Sequence, residues 1–466
     1  MVHSAEYGLK ALERKKRFQN QAIKNNVFKA RKYNNYNKKY NNHQSYQKPH
    51  QKQQNQNDGN TLRVRGFFKV LPTEDIRNVP QCSHGPCLLF EKRKNGETEV
   101  EDTYFACAIY RNNEELCGYK RRYNVETKVL EEIEEPEKKK KKKLFGYNRI
   151  PKSLGAMKPE DTVLFCKDCM NVFPNRHNCV CEEIDRDLLN FPTKILAPID
   201  EQNGESQFFF SDESLQVITN AVKLSKVEGV LCIGAPRVFE TVRAQLPSKE
   251  VFMLDYDKRF AKFYPSKQFA QYSMLVDHFY DKLALPKLME FFTKCKSILL
   301  IVDPPFGVVM EPLLRSIEKM KSRFVESGHS SNQFYSMIVL PIYIRKYVLH
   351  DNFWMSDYRV TYESHKLYKY SEKTIVRLFT NLPQKNIDLK ELNGYKYCKP
   401  CDRYVTAQNV HCEQCKSCTS IEQGQFKHCN QCQKCVKPTY WHCVDCNKCH
   451  LSGRCQANKN AEQNSY

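Results

Sequence analysis

Long apolar runs are missing from this 466-residue chain. The longest, such as Ile298 to Val302, stop far short of the ~18 residues that cross a bilayer, so no transmembrane helix is expected. Met1 to Phe18 has no apolar run behind its basic cluster, which argues against a secretory signal peptide and places the chain inside the cell. There the 22 cysteines are poor candidates for disulfides, and their Cys-x-x-Cys pairs close to histidines make zinc the economical explanation. Acids are scarce at the N terminus: residues 1–60 carry 13 Lys and Arg against Glu6, Glu13 and Asp58 alone. That segment supplies close to half of the net charge of +21, and a basic balance of this size argues for a polyanionic partner.

At roughly 100–200 residues per domain the length allows several domains, and composition suggests where they divide. Residues 1–60, rich in Asn, Gln, Lys and Tyr, offer too little apolar surface to offset ordering entropy and read as a disordered basic tail. Within it Arg14-Lys15-Lys16-Arg17 is a candidate nuclear address or phosphate-binding patch. Residues 61–130 read as a small zinc domain and 131–160 as a charged linker, in which Glu131 to Glu137 precede Lys138 to Lys143. A short Cys/His finger is expected over 161–190, an α/β domain over 191–390, a Cys/His array over 391–458 and a tail over 459–466.

Cys82, His84, Cys107 and Cys117 form a close pair and a distant pair, the arrangement with which a zinc ion closes a loop that a short apolar core could not hold. Cys87 competes for the fourth place. In the second finger Cys166, Cys169 and His177 are joined by Cys179 or Cys181, and the His177-x3-Cys181 spacing favours Cys181. The C-terminal array contains three copies of His-Cys-x2-Cys-x2-Cys, an internal repeat. Spacing assigns Cys398, Cys401, His411 and Cys418 to one ion, Cys412, Cys415, His428 and Cys435 to the next, and Cys429, Cys432, His442 and Cys449 to a third. Cys443, Cys446, His450 and Cys455 remain for a fourth. Sixteen donors thus hold four ions with none left over, and the chain as a whole is expected to bind six.

From Gln207 to Leu382 the pattern alternates between apolar runs of strand length (Glu228 to Ile233, Val251 to Leu254, Ile298 to Val302, Met337 to Leu340) and amphipathic segments such as Ser211 to Leu224. A parallel sheet covered by helices follows, with ligands bound off the carboxyl ends of its strands. Gly234 after the first run would let the backbone approach a nucleoside cofactor. Asp255, ending the second, would accept ribose hydroxyl hydrogen bonds, or alternatively cap the next helix. There is no Gly-x-Gly fingerprint. Asp303-Pro304-Pro305-Phe306 after the third run is more specific. The prolines fix the backbone and remove amide donors, so the Asp303 carboxylate and the Pro304 carbonyl can both accept from an exocyclic amine while Phe306 stacks on the base. Acceptors that hold the amine hydrogens favour a tetrahedral, nucleophilic nitrogen.

The first finger, with Cys82-Ser83-His84-Gly85-Pro86, Tyr104-Phe105-Ala106-Cys107 and Cys117-Gly118-Tyr119, resembles the GRF-type zinc finger, departing from it at Glu101-Asp102-Thr103, where Gly-Arg is usual. Asp303 to Phe306 resembles the (Asp/Asn)-Pro-Pro-(Phe/Tyr/Trp) motif of amino-methyltransferases. Together with Asp357-Tyr358-Arg359-Val360, Arg377-Leu378-Phe379-Thr380-Asn381 and the C-terminal array, the chain from Cys82 to Cys455 is similar to the zinc-finger CCHC-domain-containing N6-adenosine methyltransferases of large-subunit (28S) ribosomal RNA. The resemblance implies a Rossmann-like class I methyltransferase core and S-adenosylmethionine as cofactor. Its contacts would be Gln207, Phe208, Phe209, Phe210, Gly234, Arg237, Asp255, Ser273, Met274, Leu275 and Asp303, with Ala235 standing where a Thr is expected. It further implies zinc, ribosomal RNA as partner with pre-ribosomal proteins as further candidates, neither membrane nor DNA, and a nuclear, nucleolar location extending to the cytoplasm. Two other functions fit less well. The interleaved array resembles the cysteine-rich domain of protein S-acyltransferases, but His428-Cys429 and His442-Cys443 lack the Asp-His-His-Cys nucleophile. A non-catalytic RNA-binding adaptor would leave Asp303 to Phe306 without a purpose.

Overall fold

The computed structural model describes residues 67–455 except 74–75, 77, 94–98, 112–114, 132–149, 156, 159–160, 175–176, 200–205, 350–351 and 421–423. The basic tail and the Lys138 to Lys143 run lie outside the described residues. Within the segment expected as a linker, Ile150–Gly155 is a short helix, and Ile150 is buried in the main core.

The first finger is an antiparallel sheet of β1 (Phe67–Leu71), β2 (Gln81–Cys82), β3 (Gly85–Arg93), β4 (Val100–Cys107), β5 (Lys120–Asn124) and β6 (Val129–Leu130). Strand alternation gives it two apolar faces: Leu88, Phe90 and Ala106 lie on one, Cys87, Leu89 and Phe105 on the other. The second finger is the three-stranded sheet of β7 (Val163–Cys166), β8 (Asn171–Phe173) and β9 (Cys181–Ile184), with β7 central.

The central domain is built on β10 (Gly229–Ile233), β11 (Glu250–Asp255), β12 (Phe269–Ser273), β13 (His278–Phe279), β14 (Ile298–Val302), β15 (Phe334–Pro341), β16 (Trp354–Met355) and β17 (Val376–Thr380). Their order is β13-β12-β11-β10-β14-β15-β17-β16. β12, β11, β10, β14 and β15 run parallel, whereas β17 is antiparallel to β15. The runs are apolar throughout because both faces are covered: Val230 and Cys232 enter one core, Leu231 and Ile233 the other. Helices α1 (Asp212–Ser225) and α2 (Pro236–Gln245) pack on the first, α3 (Ala284–Lys294) and α4 (Met310–Glu326) on the second. Helix α1 starts where Ser211 caps it, its side chain accepting from the Ser214 amide at 3.2 Å.

The C-terminal array is four successive two-stranded hairpins: β18 (Tyr395–Cys398) with β19 (Arg403–Thr406), β20 (His411–Cys412) with β21 (Ser417–Cys418), β22 (Lys427–Cys429) with β23 (Lys434–Val436), and β24 (Trp441–Cys443) with β25 (Lys448–His450). Asp357 ties it to the central domain. Its carboxylate, itself buried, accepts from Arg403 Nη1 at 3.0 Å, from the buried Asn409 Nδ2 at 3.0 Å and from the Thr406 amide at 3.1 Å. The Asp357 to Val360 segment singled out in the sequence is therefore an anchoring element. Among the described residues no helix is long and apolar enough to cross a membrane.

Candidate active site and metal centres

Chain order along the sheet runs outward from β10 to β12 on one side and from β14 to β15 on the other, so it reverses between β10 and β14. A crevice opens at such a reversal outside the carboxyl ends of the strands. Gly234 follows β10 and Asp303 follows β14. The Asp303 amide joins the two turns by donating to the Ile233 carbonyl at 3.0 Å, and the Gly234 amide ties the first of them to β11 by donating to the Leu254 carbonyl at 2.9 Å. Gly234 has φ +65°, and a Cβ there would lie 2.8 Å from the Asp303 carbonyl oxygen and 2.9 Å from Met274 Cε. Glycine is thus required by the approach of two backbone turns, as well as by any ligand lying over them.

Asp303 is partly buried, and its Oδ1 accepts from the Tyr362 hydroxyl at 2.9 Å. Burial pushes its carboxyl well above the usual carboxylate range, the Tyr362 hydrogen bond opposes that rise, and the nearby Asp255 charge adds to it. Phe306 stands in an aromatic cluster, stacked on Phe208 with centroids 5.5 Å apart and edge-on to Tyr362 at 5.8 Å and Tyr368 at 5.4 Å. His365 stacks on Tyr368 at 4.2 Å and meets Phe208 at 4.5 Å. Burial pushes the His365 ring down to about 4, so at neutral pH it is uncharged. Its Nδ1 accepts from the Leu367 and Tyr368 amides at 3.0 and 2.9 Å, which puts the proton on Nε2.

The segment before α1 reaches this cluster by pairing with residues 361–364: Phe210 bridges Tyr362, and the Glu363 amide donates to the Phe209 carbonyl at 2.8 Å. Arg237 locks the pairing by donating to the Phe210 carbonyl at 2.6 Å and by ion pairs with Asp212 and Glu363. Gln207 sits one step further along, its Nε2 donating to Asp257 Oδ2 at 3.2 Å. Asp255 ends β11 buried, its Oδ1 accepting from the Asp257 amide at 2.8 Å. Ser273 is buried at the end of β12, followed by Met274 against Gly234 and by Leu275, which packs on the first finger. Tyr362, His365 and Tyr368 were not foreseen from the sequence. They belong to an irregular stretch with no period of its own, and only the neighbouring Asp357 to Val360 motif marked the region.

The Cys/His groups can be tested against zinc by distance. Donors about 2.3 Å (sulfur) and 2.0–2.1 Å (nitrogen) from one tetrahedral ion stand ~3.5–3.8 Å apart. Cys107 Sγ lies 3.7 Å from His84 Nδ1, Cys398 Sγ 3.6 Å from His411 Nδ1, Cys412 Sγ 3.5 Å from His428 Nδ1 and Cys429 Sγ 3.7 Å from His442 Nδ1. Sulfur pairs agree: Cys415 and Cys435 are 3.7 Å apart, Cys432 and Cys449 3.6 Å, Cys443 and Cys455 3.6 Å. Cys82, His84, Cys107 and Cys117 converge as one set, as do the first three sets of the C-terminal array, with all four donors of each within 4.8 Å of one another. In the remaining knuckle His450 directs Nδ1 to the Leu451 carbonyl at 2.7 Å, while its Nε2 is buried with no protein partner, the condition of a nitrogen reserved for a metal.

The second finger corrects one expectation. Cys166, Cys169, His177 and Cys179 converge, and Cys181 is not the fourth member. Cys169 Sγ lies 3.0 Å from His177 Nε2 and 3.8 Å from Cys179 Sγ. Cys181 instead begins β9, opposite Cys166 in the sheet register, with its thiol turned to the Cys179 carbonyl at 3.6 Å.

One local device recurs at the Cys-x2-Cys that opens the second finger and at the one that opens each set of the C-terminal array. The residue after the second cysteine is left-handed (Met170, Asp402, Lys416, Gln433 and Asn447, φ 49° to 51°). Ahead of it, within the turn, the second cysteine's amide donates to the first sulfur, as from Cys169 to Cys166 at 3.3 Å and from Cys415 to Cys412 at 3.4 Å. Such amide bonds pull the Cys412 thiol down to about 7 and that of Cys429 to about 6, toward the thiolate that zinc requires. Interleaving has an equally simple cause. His411-Cys412, His428-Cys429 and His442-Cys443 each lie on a strand, where successive side chains point to opposite faces. Each pair therefore gives one ligand to the site behind it and one to the site ahead.

Residues 201–384 match the family described as "Probable N6-adenine methyltransferase". Over 378 residues the chain is 30% identical to the human protein named rRNA N(6)-adenosine-methyltransferase ZCCHC4, covering 75% of this chain and 72% of that one. The mouse protein of the same name is 30% identical over 387 residues, covering 77% and 74%. That of Xenopus laevis is 31% identical over 371, covering 74% and 75%.

Proposed function

The chain belongs to the ZCCHC4 family of rRNA N(6)-adenosine-methyltransferases, and from that premise we propose how its own residues perform the reaction. It is an enzyme that methylates adenosine N6 in ribosomal RNA with S-adenosylmethionine. Within that activity we assign the large-subunit (28S) rRNA as substrate, a Rossmann-like class I organisation to the central sheet, and a nucleolar site of action. The observation that carries the assignment of residues is the meeting of Asp303-Pro304-Pro305-Phe306 with Gly234 at the reversal of strand order.

The crevice suits the cofactor on its own terms: a glycine turn without side-chain bulk beside a buried carboxylate ending the adjacent strand matches what a nucleoside needs. When bound, S-adenosylmethionine supplies the electrophilic methyl group. Asp255 would hold the ribose hydroxyls, while Gln207 to Phe210, Arg237 and Ser273 to Leu275 shape the surrounding walls. The target adenine must leave its stack to reach Asp303. Phe306 then offers a ring face, with Phe208, Tyr362 and His365 closing the apolar surround. The Asp303 carboxylate and the Pro304 carbonyl accept the two N6 hydrogens and keep the nitrogen lone pair out of conjugation as the bond to the methyl group forms. No strong general base is needed, because the N6 proton becomes acidic only after transfer. The zinc modules would grip RNA phosphates and unpaired bases around the site.

The test incubates purified chain with methyl-labelled S-adenosylmethionine and total RNA, followed by nucleoside analysis of separated RNAs. Label in N6-methyladenosine of large-subunit rRNA is expected. Label confined to protein, to cytosine or to small-subunit rRNA contradicts the corresponding part of the proposal.

A further inference from the structure

The first zinc finger is packed against the crevice. Its Leu88, Phe90 and Ala106 face takes in Tyr256 and Leu275, which follow β11 and β12, and Val309, which follows the Asp303 to Phe306 turn. The Tyr280 hydroxyl donates to the His84 carbonyl. Gly85, at φ +107°, lies so near that a Cβ would meet Tyr280 Oη at 3.2 Å and His278 Cδ2 at 3.3 Å. One side chain crosses from the finger to the loop after β14. Arg111 donates from Nη1 to the Ala108 carbonyl of its own finger at 3.0 Å and from Nη2 to the Gly307 carbonyl at 3.3 Å.

Gly307 directly follows Phe306. Upstream of that ring the chain is rigid, because Pro304 and Pro305 fix their φ angles. Downstream it has the most permissive of residues, and the turn is closed there by one bond, Val308 amide to Pro305 carbonyl at 2.9 Å. Phe306 therefore sits between a stiff side and a loose one, and the Arg111 bond with the Val309 contact restrains the loose side. We propose that Arg111 is a positioning residue for methyl transfer, through which the zinc finger holds the loop carrying Phe306 in place. The inference rests on the assignment of Phe306 to the target base made above. It gives the finger a role inside the reaction that is separate from any grip on RNA.

The experiment measures kcat and KM for total ribosomal RNA, with the zinc content of each protein, for wild type, Arg111→Ala, Arg111→Lys and Arg122→Ala in the full chain. Arg122 is an exposed arginine of the same sheet, paired with Asp102 at 3.5 Å, and reports what losing one basic residue does to RNA binding. A misplacement approaching 1 Å costs up to about a hundredfold. Arg111→Ala is thus expected to lower kcat by about tenfold to a hundredfold, with KM changing by less than about twofold. Arg111→Lys, able to reach one carbonyl, should recover part of the loss. If Arg111→Ala loses the finger's zinc, Arg111→Lys decides: a reduced kcat with full zinc supports the clamp, and a wild-type kcat overturns it. A loss that appears in KM, grows with salt and is matched by Arg122→Ala would identify a phosphate contact and refute the proposal. Wild-type activity on the same RNA separates this inference from the functional reading, which fails if wild type transfers no methyl group to adenosine.

Discussion

Gly234→Ala is the sharpest probe of the crevice, because the structure says what the added methyl group would strike. At φ +65° an alanine adopts the left-handed conformation at a cost of about 1–2 kcal/mol. Its Cβ would stand 2.8 Å from the Asp303 carbonyl oxygen and 2.9 Å from Met274 Cε. Met274 can swing aside. The Asp303 carbonyl cannot, since its own amide is bonded to Ile233 and a proline follows. Overpacking against such a neighbour adds about 1–3 kcal/mol, so the substitution should destabilise by about 2–5 kcal/mol in total. Relief comes by pushing the Asp303 turn outward, and the acceptors for the amine move with it. Methyl transfer should therefore fall by about a hundredfold even where the protein remains folded. Urea unfolding gives the stability change and single-turnover methylation the rate, at a temperature where the variant is native. Gly155→Ala is the control: a Cβ there meets nothing within 4 Å, and the change should stay within about 0.5 kcal/mol. Full activity with an unchanged unfolding midpoint in Gly234→Ala would mean that the two turns do not touch as described.

Asp303 is a stronger acceptor as the carboxylate than as the neutral acid, and its carboxyl is held above the usual range by burial. The rate should therefore rise with pH through that elevated value; Tyr362→Phe removes the hydrogen bond opposing the elevation and should move this limb to higher pH, and Asp303→Asn should abolish it while keeping partial activity. The folded chain holds the Asp303 proton more tightly than the unfolded chain, so that stabilisation is full below the ordinary carboxylate pKa and lost as pH rises through the folded value. Asp303→Asn should accordingly raise Tm at neutral pH and change it little in acid, and a lower neutral Tm would refute the burial argument. Elemental analysis should find six zinc ions per chain: Cys179→Ser should lose one and Cys181→Ser none, and three or fewer in an unoxidised wild-type preparation would show the sites misread. Asp357→Ala takes the carboxylate from a half-buried Arg403 guanidinium that keeps only the Met355 and Cys418 carbonyls and should cost about 1–3 kcal/mol, loosening the C-terminal array to proteolysis; the double variant with Arg403→Met should recover much of that, and additive losses would refute the coupling.

Wherever one residue and its near neighbours carry the information, the sequence was sufficient. The apolar runs at Val251 to Leu254 and Ile298 to Val302 became central strands with small changes of boundary, because two covered faces leave no position for a polar side chain. The zinc array followed from counting, since a Cys-x2-Cys turn is local and a His-Cys pair on a strand must serve two sites. Counting favoured Cys181 by its spacing from His177, whereas the donor that lies with those of Cys166, Cys169 and His177 is Cys179, because the path of the short loop between β8 and β9 is not written in the spacing. Tyr362 on Asp303, Asp357 under the zinc array and Arg111 on Gly307 join residues 46 to 196 positions apart. No local pattern records such contacts, because they exist only once the sheet has closed and the fingers have docked. The sequence alone determined which chemistry the chain carries, since donor types and their spacing are properties of the covalent chain. Only the tertiary structure decided how that chemistry is held, since burial, a raised carboxyl pKa and a restrained loop are properties of what has been packed around it.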